Sequence, residues 1–285
     1  MGANIRSIGV IGSGQMGAGI AQVAAQSGLS TVLFDISDQA LEGAKKGIIR
    51  RLDRAIEKEQ ITSEAKENIL GNLTYSAELS SLSKSDFVVE AIVENIAIKE
   101  KLLNELTPHL AEHTILASNT SSISITRLAK ASDRPERFIG MHFMNPVPIM
   151  ELVEIIRGLQ TNDETYTITK TLAEQMGKKT VLALDGPGFI VNRILCPMIN
   201  EAIYLLQEGV KAEDIDQAMM LGTNHPMGPL TLADFVGLDT LLAILELLHR
   251  ELGEDKYRPC PLLRKYVEAG WYGKKSGRGF YRHDQ

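Results

Sequence analysis

Residues 12–17 read Gly-Ser-Gly-Gln-Met-Gly, a G-x-G-x-x-G placed directly after an apolar run at 5–11 and directly before a helical pattern at 16–26. That placement constrains the fold strongly. Gly12 allows the tight turn out of a strand, Gly14 lets backbone come close to a pyrophosphate, and Gly17 lets the following helix pack against the strand. The helix N-terminus adds unpaired N–H groups and a positive dipole, so Gly12, Gly14, Gln15, Met16 and Gly17 are candidate dinucleotide contacts. Alone the motif is weak, because glycines also serve ordinary strand-to-helix turns. Asp35 strengthens it, standing 18 residues beyond Gly17 at the end of the second apolar run, where a carboxylate can accept the adenosine ribose hydroxyls rather than merely cap a loop. The same carboxylate would repel a 2′-phosphate, and Ile36, Ser37 and Asp38 supply no arginine to receive one, so NAD is favoured over NADP.

Apolar runs bounded by turn residues alternate with helical patterns through the first two thirds of the chain, the pattern of a mostly parallel sheet covered by helices. Strands are predicted at 5–11, 31–34, 86–92, 114–117, 137–141, 152–156 and 180–184. At Gly186, Pro187 and Gly188 the pattern changes to a long apolar-periodic run at 189–206, followed by helical stretches at 212–221, 230–235, 238–252 and 261–269. The fold class expected is α/β, a Rossmann-type domain over 1–184 followed by an all-helical domain over 185–285. The tail from residue 278 onward reads as a frayed end.

The net charge of −6 gives no general field for nucleic acid, so phosphate recognition has to be local. Two cysteines, Cys196 and Cys260, exclude a disulfide framework and a cysteine-rich metal site. No metal is expected, and a reducing cytoplasmic setting fits. The glycine-interrupted N-terminus lacks an apolar leader, and apolar stretches elsewhere break within about ten residues, short of the ~20 that cross a bilayer. No membrane or nucleic-acid partner is expected.

Past mid-chain come Ser118-Asn119-Thr120-Ser121-Ser122, Gly140-Met141-His142-Phe143-Met144-Asn145-Pro146, Glu154, and Pro187-Gly188-Phe189-Ile190-Val191-Asn192-Arg193. His225-Pro226-Met227-Gly228-Pro229 and Lys274-Lys275-Ser276-Gly277-Arg278-Gly279-Phe280-Tyr281 follow. With the glycine motif, these resemble the 3-hydroxyacyl-CoA dehydrogenase family over nearly the whole chain. The likeness is strongest to its stand-alone bacterial 3-hydroxybutyryl-CoA branch, since no hydratase-like segment precedes residue 1. The resemblance implies His142 as general base, Glu154 as its carboxylate partner, and Ser121 and Asn192 as groups holding the substrate. It also implies cofactor contacts from Glu94, Lys99, Asn145 and Lys275, and a homodimer formed through the helical domain. Glu151 and Met144 depart from it, standing where relatives usually carry lysine and phenylalanine.

The chemistry is consistent with those roles. Histidine titrates near neutrality and can take a hydroxyl proton as hydride leaves the substrate, and a carboxylate on its other nitrogen fixes the tautomer. Glu154 lies on an apolar strand, where an acid is costly to bury without a partner. Taken without the resemblance, Ser118 to Ser122 is a polar loop capping a helix, Asn192 a polar residue inside a helix, and Glu94 with Lys99 a solvated surface pair. The helix expected near 39–59 carries Lys46, Arg50, Arg54 and Lys58 at intervals of four, with Arg51 alongside. Like charges at that spacing cost roughly 0.2–0.5 kcal/mol per pair. A solvated face or an anionic partner would account for them, and the resemblance assigns Arg51 and Lys58 to the nucleotide portion of CoA. A dehydrogenase for free hydroxy acids, or a non-catalytic NAD-binding or crystallin-like protein, is the alternative. Neither requires the full set Ser121, His142, Glu154 and Asn192.

Overall fold

The computed structural model describes residues 5–283. Two compact units result, Met1–Asp185 and Gly186–Gln285.

The first unit alternates strand and helix as its apolar runs dictate. In chain order it contains β1 (Ser7–Ile11), α1 (Gln15–Gln26), β2 (Ser30–Phe34), α2 (Asp38–Glu57), α3 (Ser63–Gly71), β3 (Leu73–Ser76) and β4 (Phe87–Glu90). There follow α4 (Ile96–Leu106), β5 (Ile115–Ser118), α5 (Ile125–Ala131), β6 (Phe138–Phe143), β7 (Leu152–Arg157), α6 (Asp163–Gln175) and β8 (Lys179–Leu184). The eight strands form one sheet in the order β3-β2-β1-β4-β5-β6-β7-β8. Pairing is parallel except between β6 and β7, so β7 and β8 run against the other six.

Ile8, Val10, Val88 and Val89 are fully buried in the central strands. Each such side chain contributes about 1.5–3 kcal/mol relative to exposure, which is why these strands read as unbroken apolar runs. The chain winds outward from β1 to β2 and β3 on one side and crosses to β4 on the other. That crossing opens a crevice beyond the carboxyl ends of β1 and β4, the place where open α/β sheets take ligands. Strand β3 was not foreseen from the sequence. Its four residues bury only Leu73, pair only with β2 at the sheet edge, and include too few apolar positions to show a period.

The second unit is helical, with α7 (Val191–Gln207), α8 (Ala212–Thr223), α9 (Pro229–Val236), α10 (Leu238–Leu252) and α11 (Pro261–Glu268). Leu230, Leu238, Leu241, Leu245 and Leu263 close its core at zero exposure. The expectation of a frayed tail is corrected here for the described residues. Asp234, 1% exposed, accepts hydrogen bonds from Phe280 N at 2.9 Å and Tyr281 N at 3.0 Å, and pairs with His283 Nε2 at 2.8 Å. Tyr281 donates its hydroxyl to Asp216 at 2.9 Å. Burial and the Asp216 carboxylate hold that phenol protonated well above the usual tyrosine range. A buried carboxylate without these donors would be costly, so the tail is fixed by the need of two acids for partners. Residues 284–285 lie outside the described residues.

Candidate active site

Each glycine of the motif has a distinct steric reason. Gly12 sits at φ +98°, and a Cβ there would stand 2.7 Å from the Ala91 carbonyl oxygen. A Cβ on Gly17 would overlap the Gly12 carbonyl, whereas one on Gly14 would meet nothing within 4 Å. Gly14 thus borders open space at the N-terminus of α1, whose first N–H groups receive no side-chain cap. This is an anion cradle built from backbone. Gln15 donates from Nε2 to Asn145 Oδ1 at 2.9 Å, joining the cradle to the loop after β6, and Met16 packs against the core beneath it.

Beside the cradle lies a cavity of about 590 Å³ lined by Gly12, Gly14, Asp35, Ile36, Val93 and Ile98 among others. Its apolar walls suit a flat heterocycle, with Asp35 at the rim. The Asp35 carboxylate is oriented by Ser13 N and Ser13 Oγ, both at 2.8 Å, and by Ser37 N at 3.0 Å. Backbone cradle, apolar slot and carboxylate together offer the chemistry that a dinucleotide requires.

The second cluster follows from strand register. Within the antiparallel β6–β7 pair, His142 lies directly opposite Glu154, which places both side chains on one face. His142 is 5% and Glu154 1% exposed. Their Nδ1 and Oε2 atoms are 2.7 Å apart, and His142 Nε2 lies 3.0 Å from Ser121 Oγ. An ionised carboxylate only accepts, so Nδ1 carries the proton and Nε2 faces Ser121. An imidazole held in this tautomer is equipped to exchange a proton at Nε2.

Glu94 organises the loop that carries Ser121. Its Oε1 accepts from Thr120 Oγ1 at 2.5 Å, Ser121 N at 2.9 Å, Ser122 N at 3.1 Å and Ser122 Oγ at 2.8 Å. Lys99 is 1% exposed, so the reading of Glu94 and Lys99 as a solvated pair does not hold. The Lys99 ammonium is 2.5 Å from Glu90 Oε1 and 3.4 Å from Glu94 Oε2. Glu90 carries no reading from the sequence, and Asn119 appears there only as part of the Ser118 to Ser122 motif, with no role of its own. Asn119 Oδ1 accepts from Phe143 N at 2.8 Å, which ties the end of β5 to the residue after His142. Glu90 had a legible signal, an acid closing the apolar strand Phe87–Glu90, subject to the same cost of burial that singled out Glu154.

Two further candidates, Arg51 and Lys58, belong to α2. Arg51, half-buried on α2, donates from Nε to Gln22 Oε1 at 2.6 Å, while its Nη2 is buried without a hydrogen-bond partner. Burial lowers its pKa, with Arg50 adding to the effect. Lys58 is the exposed C-cap of α2. In the second unit Asn192 occupies the first turn of α7, and Lys275 Nζ lies 2.7 Å from Asp239 Oδ2.

Residues 7–186 match the NAD binding domain of 3-hydroxyacyl-CoA dehydrogenase, and residues 188–283 match its C-terminal domain. The chain belongs to the 3-hydroxyacyl-CoA dehydrogenase family. The enzyme is 54% identical to a probable 3-hydroxybutyryl-CoA dehydrogenase of Bacillus subtilis, over 99% of this chain and 98% of that one. It is 55% identical to a 3-hydroxybutyryl-CoA dehydrogenase of Bradyrhizobium diazoefficiens, over 99% and 96%. The crystal structure of an (S)-3-hydroxybutyryl-CoA dehydrogenase from Ralstonia eutropha superimposes with a TM-score of 0.95 at 49% identity, covering 99% of this chain and 100% of that one. The enzyme is thus an NAD-dependent oxidoreductase, and the cradle at Gly12 to Gly17 belongs to its NAD-binding domain. Among the described residues no helix is long and apolar enough to cross a membrane, and no cluster of His, Cys, Asp or Glu could hold a metal ion.

Proposed function

We propose that this enzyme interconverts short-chain (3S)-3-hydroxyacyl-CoA and 3-oxoacyl-CoA thioesters, the 3-hydroxybutyryl-CoA and acetoacetyl-CoA pair above all, with His142 as the general base. The observation that carries this reading is the continuous set of contacts Ser121–His142–Glu154. Bound NAD supplies the acceptor for the hydride from C3 of the alcohol. His142 Nε2 takes the hydroxyl proton, and the Glu154 carboxylate balances the imidazolium that results. Ser121 and Asn192 orient the hydroxyl and the thioester carbonyl as neutral hydrogen-bonding groups, leaving the charge of the base unaltered. Asp35 holds the ribose of NAD, and Glu94, Lys99, Asn145 and Lys275 serve the same cofactor.

A CoA thioester brings a 3′-phosphate and a pyrophosphate, for which Arg51 and Lys58 are the receivers. The buried, unpartnered Nη2 of Arg51 supports this, since an anion would complete its hydrogen bonding. That the relatives are 3-hydroxybutyryl-CoA dehydrogenases by name supports the four-carbon acyl chain. The bacterial relatives also support a cytoplasmic enzyme. We assign a homodimer through the helical unit, which exposes Ile194, Leu205, Met220, Leu221 and Phe235.

The test is NADH absorbance during incubation with acetoacetyl-CoA and, separately, with free acetoacetate. Rapid oxidation with the thioester alone is expected. Comparable rates on the free acid would remove the CoA requirement and favour a dehydrogenase of small hydroxy acids. Replacing Arg51 and Lys58 together by alanine should raise KM for acetoacetyl-CoA and flatten its salt dependence, while sparing a truncated thioester that lacks the nucleotide.

A further inference from the structure

Glu90 has no part in the proton transfer just described, yet it is buried at 1% exposure with three polar contacts. It closes β4 and lies in register with Ser118 of β5. Its Oε2 accepts from Ser118 Oγ at 2.6 Å, and its Oε1 accepts from Ile92 N at 2.7 Å and from the Lys99 ammonium at 2.5 Å. Lys99 is therefore shared unequally between two carboxylates, Glu90 in contact and Glu94 at 3.4 Å. A buried ammonium demands a counter-charge, and the nearer acid meets most of that demand. The Oε1 atom of Glu94 can then stay with the Thr120, Ser121 and Ser122 donors.

We propose that Glu90 is a positioning residue for the Ser121–His142 contact, acting through Lys99 and Glu94. This rests on the reading of His142 as the base. Neutralising Glu90 leaves Glu94 as the nearest carboxylate to the Lys99 ammonium. Glu94 must then close the gap to a direct ion pair, which draws its other oxygen from the serine loop. Ser121 and His142 lose their relative placement, and displacements of the order of 1 Å at a reacting centre cost up to about 10²-fold in rate.

Glu90→Gln isolates this charge effect, because the amide oxygen still accepts from Ser118 or Ile92. In the native background it should lower kcat about tenfold, at saturating NADH and acetoacetyl-CoA, with KM for the thioester moved less than about twofold. In a Glu94→Gln background the same change should cost less than about twofold, since the residue it acts through is already neutral. Equal losses in the two backgrounds would show that Glu90 supports the fold by another route and would overturn the proposal, as would an unchanged kcat. Should Glu90→Gln fail to fold, Glu90→Asp, which draws the carboxylate back from the Lys99 ammonium without removing its charge, carries the same comparison: a loss of kcat in the native background that shrinks to less than about twofold with Glu94→Gln. His142→Gln measured alongside separates the two levels. Full turnover there refutes the base itself, whereas a large loss there with equal losses in both backgrounds refutes only the role of Glu90.

Discussion

Both units bury carboxylates, but they partner them differently. At the carboxyl edge of the sheet, Glu90 and Glu154 face groups that carry a transferable proton, the Lys99 ammonium and the His142 imidazole. In the helical unit, Asp216 and Asp234 chiefly face backbone. Asp216 accepts from Leu230 N at 2.8 Å and Thr231 N at 2.9 Å, besides the Thr231 and Tyr281 hydroxyls, and Asp234 accepts from Phe280 N and Tyr281 N, besides its pair with His283 Nε2. A backbone N–H can hold an acid in place but cannot take or give a proton at neutral pH, so the second arrangement fixes chain segments. The first arrangement can also do chemistry. A buried carboxylate beside a histidine therefore does not by itself mark a site, since Asp234 has His283; what sets His142 apart is that its second ring nitrogen meets the Ser121 hydroxyl.

The comparison breaks most sharply at His142. His142→Gln is expected to lower kcat by about 10²- to 10⁴-fold while leaving NAD affinity within about twofold, because the imidazole serves proton transfer and not the dinucleotide. Steady-state kinetics with acetoacetyl-CoA and a binding titration of NADH check both halves. Near-native kcat would place the proton acceptor elsewhere.

Asp234→Ala tests the other side. It strips three partners of a buried carboxylate, and hydrogen bonds to charged groups contribute roughly 1.5–3 kcal/mol each. Part of that is regained when the released tail becomes solvated, so a loss of about 3 kcal/mol in denaturant unfolding is expected, with kcat per folded molecule nearly unchanged. A large fall in kcat without loss of stability would mean that the tail latch serves the chemistry directly.

How much of this was legible in the sequence depends on the distance over which each feature is encoded. The cradle at Gly12 to Gly17 and Asp35 could be read directly, because their meaning lies in spacing along one β-α-β stretch. The pairing of His142 with Glu154 required the register of β6 against β7, which periodicity does not supply, and it was reached through family resemblance and the cost of burying an acid. The tail was misread because its acceptors lie 46 to 65 residues earlier in the chain. Lys99 was open to reading as a surface charge because its partner Glu90 stands nine residues back, on a strand.

Asp35→Ala is a smaller perturbation at the edge of the cavity. The carboxylate is both the ribose acceptor and the repulsive element against a 2′-phosphate, so the ratio of kcat/KM for NADH over NADPH should fall about tenfold. An unchanged ratio would assign cofactor choice to another residue.

The mildest effect concerns Cys196, which tests how rigidly the helical unit is packed around α7. Cys196 lies on α7 at 3% exposure, and burial raises its thiol pKa to about 12. The thiolate is the reactive form, so at pH 8 the folded protein presents almost none, whereas an unfolded chain with a thiol pKa near ~8.5 presents a substantial fraction. Alkylation of Cys196 at pH 8, followed by mass spectrometry, should be slow in the folded enzyme and fast in denaturant. The same difference bears on stability. The folded-state pKa is raised, so this thiol costs nothing below about pH 8.5, and stability falls as pH rises through the window up to about 12, where only the unfolded chain releases the proton. The slope from one such group is at most about 1.4 kcal/mol per pH unit. Comparing wild type with Cys196→Ala removes the contribution of the other titrating groups, and the wild type should lose stability more steeply between about pH 9 and 10.5. Parallel slopes, or labelling at the unfolded rate, would show that α7 opens readily around this residue and that the second unit is less rigid than its buried acids imply.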